Sequence, residues 1–223
     1  MIDERAILAP FFQEIFGCSP QVAAAVAVRA RSRAYAPQGL VLRQGHEGGE
    51  TFVLVLGRAH ALVYGRDGQM VLVRDFGRGD IFGAICAAPP TPEPADIVAV
   101  EASRAAVFDN LDFLGLLEIH ASVGLAVSRL LLKQLRKVTD KLLDRATLSA
   151  QGRVHAELLR LARLGDGHTL RPPPVLSALA IRVQTTRETA SRAVAALERR
   201  GVVRRDGEAL IIVSPRRLEE LVV

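Results

Sequence analysis

The sequence predicts an α+β chain in three parts: an N-terminal antiparallel β-roll, one long helix, and a small helical head that ends in a hairpin. Three observations predict it. Between Gly39 and about Phe108 short apolar runs are divided by glycine turns. From Asn110 to Asp144 a proline-free stretch carries apolar residues three and four apart. Residues 176–199 then hold two short amphipathic helices on either side of a tight turn. These patterns place the boundaries at 1–109 for the roll with preceding helices, 110–145 for the long helix, and 146–223 for the head.

The roll is read from the runs Leu40–Leu42, Thr51–Leu56, Ala59–Tyr64 and Met70–Val73. Asp67-Gly68, set between two such runs, is a strong hairpin signal because its residues tolerate positive φ. Regular spacing of short strands argues for an antiparallel roll or barrel of jelly-roll type. The stretch Pro89-Pro90-Thr91-Pro92-Glu93-Pro94 must be a loop, since proline lacks the ladder donor and restricts the residue before it.

In the long helix Leu114, Leu117, Ala121, Gly124, Ser128, Leu131, Leu135, Val138 and Leu142 form an a/d seam. A second stripe, Leu116, Ile119, Val123, Val127 and Leu130, gives the upper half another apolar face. Two arrangements satisfy both stripes: a homodimer through the seam, or a monomeric helix buried on two sides. The seam continues where the second stripe has ended, which favours the homodimer. Lys133, Lys137 and Lys141 follow at i, i+4 and read as a solvated face, with phosphate contact as the alternative.

Ser149 is placed to cap a new helix running to Arg163, which Gly165-Asp166-Gly167 ends, so the hinge falls at Ala146–Ser149. Beyond Pro172-Pro173-Pro174, Leu176, Leu179, Ala180 and Val183 mark one short helix. Gln184-Thr185 makes the turn, and Thr186 caps a second helix whose buried stripe is Ala190, Ala193, Val194 and Leu197. At about 100° per residue, Glu188, Arg192 and Arg199 point the opposite way, with Arg187 at the exposed N-terminal end. A helix that presents Arg and Glu at that end suits a DNA major groove, where Arg bridges guanine O6 and N7 and Glu accepts from cytosine N4. Thr186, Thr189 and Ser191 supply hydroxyls suited to phosphate oxygens. Residues 202–213 read as a hairpin with Asp206-Gly207 at its tip, whose Arg204 and Arg205 can press on the DNA backbone as a wing. A plain helical hairpin with a solvated face is the weaker alternative.

Charge agrees with this division. Residues 1–145 hold 16 basic and 16 acidic side chains, and residues 146–223 hold 13 against 8, so the net +5 lies in the head. That asymmetry suits a polyanion, although ordinary surface variation produces similar values. The first five residues carry two acids without the apolar run of a signal peptide, and no apolar segment is long enough to span a bilayer. The expected location is therefore the cytoplasm, with no membrane partner. Cys18 and Cys86 form no C-x-x-C pair, so no metal site is expected. No acid, base and nucleophile set suggests an enzyme, and His155 reads as a structural helix residue.

Thr186-Arg187-Glu188-Thr189-Ala190-Ser191-Arg192 resembles the recognition-helix motif of the cyclic-AMP receptor protein (CRP/FNR) family of bacterial transcription regulators. Gly39–Gly48, Gly57-Arg58 and Gly79-Asp80-Ile81-Phe82-Gly83 resemble the opening strand, central turn and G-D-x-F-G segment of its cyclic-nucleotide-binding roll. The resemblance implies a dimeric regulator with a sensor roll, a dimerisation helix and a C-terminal winged helix-turn-helix. Arg187, Glu188 and Arg192 would contact a G-T-G-A-like half-site of a palindrome, and RNA polymerase would be a partner.

The ligand cassette departs from the family. Ala84 follows Gly83 where the cyclic-AMP binders carry glutamate, and Pro92-Glu93-Pro94-Ala95 stands where they carry P-R-S/T-A. A phosphate there would meet Glu93, with Asp96 nearby and no compensating cation. Thr139 falls near the family's adenine contact, though a surface threonine explains it as well. Cyclic AMP is therefore not an expected ligand. Cys18 alone does not supply the cysteine cluster of an iron–sulfur member, whereas haem stays open through His46, His60 or Cys86. Two functions follow: a DNA-binding regulator not controlled by cyclic AMP, or a ligand- or protein-binding sensor that keeps the fold without specific DNA regulation.

Overall fold

The computed structural model describes residues 4–65, 70–85 and 91–222; Asp67-Gly68, Cys86 and Pro89-Pro90 lie outside them. Two helices come first, α1 (Glu4–Phe16) and α2 (Pro20–Arg29), the second capped by Ser19, whose hydroxyl accepts from Val22 N at 3.3 Å. Among the described residues eight strands follow: β1 (Arg31–Tyr35), β2 (Leu40–Leu42), β3 (Glu50–Leu56), β4 (Ala59–Tyr64), β5 (Met70–Phe76), β6 (Ile81–Gly83), β7 (Asp96–Ala99) and β8 (Ser103–Asp109). They form two antiparallel sheets, ordered β1-β8-β3-β6 and β2-β7-β4-β5, which is the expected roll. Strand β4 pairs with β5 out to Tyr64↔Met70, so the two runs flanking Asp67-Gly68 do form a hairpin.

Side-chain alternation divides the roll into two cores. Phe52, Leu54, Phe76, Phe82, Ile97 and Val107 fill the space between the sheets. On the outer face Val53, Ala106 and Phe108 meet Phe12 and Phe16 of α1. The β3–β4 turn needs glycine at Gly57: its φ is +86°, and a Cβ there would run into Ser103.

The long helix differs from expectation. It is broken at His120 into α3 (Asn110–Ile119) and α4 (Ala121–Thr147), bent by 114°. Phe113, Leu116, Val123 and Val127 all belong to the same core as α1 and α2. In a straight helix this stripe would stretch over about 21 Å, and the bend curls it onto one compact core. Gly124 permits the bend, since a Cβ there would lie 3.1 Å from Leu117 O. Leu117 therefore sits across the break and packs against the core instead of continuing a seam. On α4, Ala121, Ser128, Leu131, Leu135, Val138 and Leu142 remain exposed, the last three at 62%, 49% and 64%.

The chain divides into two compact units, residues 1–135 and 136–223, with α4 running through both. The second contains α5 (Ala150–Ala162), β9 (Thr169–Leu170), α6 (Leu176–Val183), α7 (Arg187–Arg199), β10 (Val203–Asp206), β11 (Ala209–Ile212) and α8 (Pro215–Glu220). Ser149 caps α5 as expected, accepting from Gly152 N at 3.0 Å. Among the described residues no single helix is long and apolar enough to cross a membrane.

Candidate nucleic-acid interface

The head is built on α5, against which α6, α7 and the hairpin close a core of Leu158, Leu179, Val183, Val194, Leu197 and Ile212. All four residues of the expected α7 stripe, Ala190, Ala193, Val194 and Leu197, are at most 1% exposed. That burial fixes the opposite face outward, where Glu188 and Arg192 are exposed, and Arg187 is exposed at the N-terminal end of the helix.

Thr186 launches α7. Its hydroxyl accepts from Thr189 N at 3.2 Å and lies 3.1 Å from the Thr189 hydroxyl, a cap worth about 1 kcal/mol. Arg192 Nη2 reaches the Thr189 hydroxyl at 3.4 Å. The hydroxyls of Thr186 and Thr189 are thus already engaged in holding the helix end and Arg192, while Ser191 is half-buried. Glu188 has its carboxyl held below the usual range, first by its own backbone N–H and the Thr186 hydroxyl, then by Arg187 and Arg192. It is an ionised acceptor between two guanidiniums, at the end of the helix where a negative charge is favoured.

The wing is present, with an adjusted tip. Asp206 pairs with Ala209, so the two-residue turn is Gly207-Glu208 in place of Asp206-Gly207. Arg205 Nε donates to Glu198 of α7 at 2.6 Å. Of the two wing arginines, exposed Arg204 is the one without an ion pair among the described residues, and Arg205 braces the wing against α7. The loop before β9 is tied by Asp166, whose carboxylate accepts from His168 N and Thr169 N, which lowers its pKa to about 2. His155 is buried, with Nδ1 2.9 Å from Leu221 O, a structural contact as expected.

In the roll the two halves of the cassette meet along residues 46–50. Ala84 N donates to Glu50 O at 3.0 Å, and Glu93 N donates to His46 O at 3.0 Å. Gly83, at φ +88°, leaves the space that a Cβ would take 2.5 Å from Glu50 O. Ala84 is buried. Glu93 is 5% exposed, with Oε1 buried and unpaired against Gly48, and burial raises its pKa while His46 opposes the shift. Pro94 is exposed, and Asp96 is occupied by Gln44 N at 2.7 Å. Thr139 is exposed on α4, in the second unit.

Sequence reasoning missed three features here. Arg74 shares the inner face of β5 with Phe76 and sits 4.5 Å over its ring, with Nη2 buried and unpaired, so the roll does hold an inward cation outside the cassette. Pairing of β1 with Ala105 and Val107 turns Tyr35 inward as well, where its buried hydroxyl has no partner of good geometry. Gln134 of α4 is buried and donates to Ile81 O of β6 at 3.4 Å, linking α4 to the strand that carries Gly83. Of the haem candidates, His60 lies 3.1 Å from Asp75 and His46 is exposed. Cys18 is a buried free thiol.

Two family models match this geometry. The one described as a cyclic nucleotide-binding domain matches residues 32–120, and the one described as a Crp-like helix-turn-helix domain matches 152–221, together more than half of the chain. The chain belongs to the CRP/FNR family of transcription regulators. Within it, the chain is 26% identical over 222 residues to the CRP-like cAMP-activated global transcriptional regulator of Mycobacterium tuberculosis, covering 97% of this chain and 98% of that one. Its fold is like that of a CooA variant from Carboxydothermus hydrogenoformans, with TM-score 0.77 and 17% identity over 89% of this chain and 90% of the other. FixK2 from Bradyrhizobium japonicum is similar too, with TM-score 0.74 and 19% identity over 87% and 98%. The CRP/FNR arrangement accounts for the roll, α4 and the helix-turn-helix together.

Proposed function

We propose that this CRP/FNR protein is a homodimeric transcription regulator that reads a palindromic site with Arg187, Glu188 and Arg192, and that cyclic AMP does not control it. The reading head carries the proposal: a capped helix with its apolar stripe fully buried and two guanidiniums flanking an ionised carboxylate on its exposed face. The apolar face of α4 supports the dimer, because leucines exposed at this level in one chain are covered by a second copy. Arg204 serves the phosphates, and RNA polymerase is the expected partner at the promoter.

Independence from cyclic AMP rests on the cassette. The Mycobacterium tuberculosis relative is described as cAMP-activated. Here Ala84 offers no carboxylate to a ribose hydroxyl, and Glu93, buried and unpaired, stands where a phosphate would need a cation. Any effector of this roll uses other groups, of which Arg74 and Tyr35 offer unpaired donors.

Selection of bound sequences from a random duplex pool, with and without cyclic AMP, tests this reading. The expected result is enrichment of a palindrome whose half-sites lie about one helical turn apart, identical in both arms. No enriched sequence, or enrichment only with cyclic AMP, overturns it, and the first outcome favours a sensor without specific DNA regulation.

A further inference from the structure

Arg153, in the first turn of α5, contacts neither bases nor phosphates in the proposed function, yet its guanidinium holds three carbonyls on two stretches of chain. Nε donates to Val183 O at 3.0 Å, Nη1 to Leu148 O at 3.1 Å, and Nη2 to Gln184 O at 3.4 Å. Val183 and Gln184 carry the last carbonyls of α6, which no donor within the helix can reach. Leu148 lies in the junction between α4 and α5.

The turn that Arg153 grips is under strain. Thr185 N donates to Ala180 O at 3.0 Å and Gln184 N to Ile181 O at 3.3 Å, the bond pair of a Schellman cap. That cap needs a left-handed residue, and Gln184 adopts φ 52° and ψ 60° without being glycine. A cation at the negative end of α6 favours the arrangement. The planar guanidinium spreads its donors over three nitrogens, so one side chain spans carbonyls on two stretches. Two residues further on stands Thr186, the cap of α7, so any relaxation of the turn re-aims Arg187, Glu188 and Arg192.

We propose that Arg153 is a positioning residue for DNA recognition: it clamps the left-handed Gln184 turn and ties it to the α4–α5 junction, so that the aim of α7 follows the geometry of that junction. The proposal rests on the reading of this head as a DNA reader. Fluorescence anisotropy with the enriched duplex and a scrambled one tests it in the full-length protein. Arg153→Met is expected to lower affinity for the enriched duplex by about tenfold or more while the slope of log K against log salt stays unchanged, since no phosphate contact is removed. Arg153→Lys recovers only a minor part, because its three donors radiate from a single nitrogen and do not reproduce the spread of Nε, Nη1 and Nη2 over carbonyls on two stretches. Gln184→Gly in the Arg153→Met background restores most of the loss, because glycine holds the turn without help. Amide exchange in the first turn of α7, measured without DNA, rises in Arg153→Met and falls again in the double variant.

Wild-type affinity in Arg153→Met, a salt slope shallower by about one, full rescue by lysine, or no recovery with Gln184→Gly would each overturn the clamp. If Arg153→Met does not fold, Arg153→Lys with and without Gln184→Gly carries the same comparison. If the wild-type protein selects no duplex, the DNA reading fails, and the exchange measurement still decides the clamp.

Discussion

Glu188 stands ionised between Arg187 and Arg192 at the N-terminal end of α7. Alone it would be repelled by phosphate, so in the proposed function it restricts binding to sites that place a donor such as cytosine N4 against it. Glu93 is the reverse case, a carboxyl that the fold disfavours in its charged form. Its raised pKa means that the folded chain keeps a proton the unfolded chain would release. The penalty is absent below the unfolded value and grows as pH rises through the window up to the folded value. Glu93→Gln is therefore expected to be near neutral at about pH 4 and to stabilise by about 1–2 kcal/mol at about pH 8 in urea unfolding. An equal effect at both pH values would contradict the burial argument. At this scale the outward Arg and Glu and the Thr186 cap were legible because helical period and capping chemistry are local. Arg74, Tyr35 and Arg153 were not, since each acquires its role from carbonyls, rings or strands far away in the chain.

Among the elements, the long helix was legible as helix, and its break into α3 and α4 was not. The a/d spacing is real along Leu131, Leu135, Val138 and Leu142, but periodicity alone carries no mark of the bend at His120, which tertiary packing of Phe113 and Val127 imposes. Strand β1 was equally hidden, because Arg31-Ser32-Arg33-Ala34-Tyr35 has almost no apolar alternation. It is held by pairing with β8 and by the contacts of Arg31 and Arg33 with Glu50. The exposed stretch of α4 makes a direct prediction. The double substitution Leu135→Glu and Leu142→Glu places four carboxylates on a twofold seam and is expected to turn a dimer into a monomer in sedimentation velocity. Affinity for the enriched duplex should fall by at least about tenfold, as each half-site is then bound alone. A variant that stays dimeric, or a wild-type protein that is already monomeric at micromolar concentration, would remove α4 as the dimer seam.

For the whole molecule, the division of labour is written in charge and in burial. Residues 1–145 are charge-balanced and turn Arg74, Tyr35 and Glu93 into the roll, whereas residues 146–223 are basic and turn Arg187, Glu188 and Arg192 outward. The bond from Gln134 to Ile81 O joins the cassette strand to α4, and Arg153 joins the α4–α5 junction at Leu148 to the Gln184 turn. Family membership was legible from the α7 motif and the glycine turns, since both are short, local and chemically specific. The ligand chemistry of the roll was not, because it depends on which side chains meet inside it. The central claim is that Arg187 and Arg192 read bases, and the most direct measurement is equilibrium binding of Arg187→Ala and Arg192→Ala to the enriched duplex and to a scrambled one. Each substitution is predicted to cost about 1–3 kcal/mol on the enriched duplex and far less on the scrambled one, so that discrimination collapses. Equal losses on both duplexes, or none on either, would contradict the account.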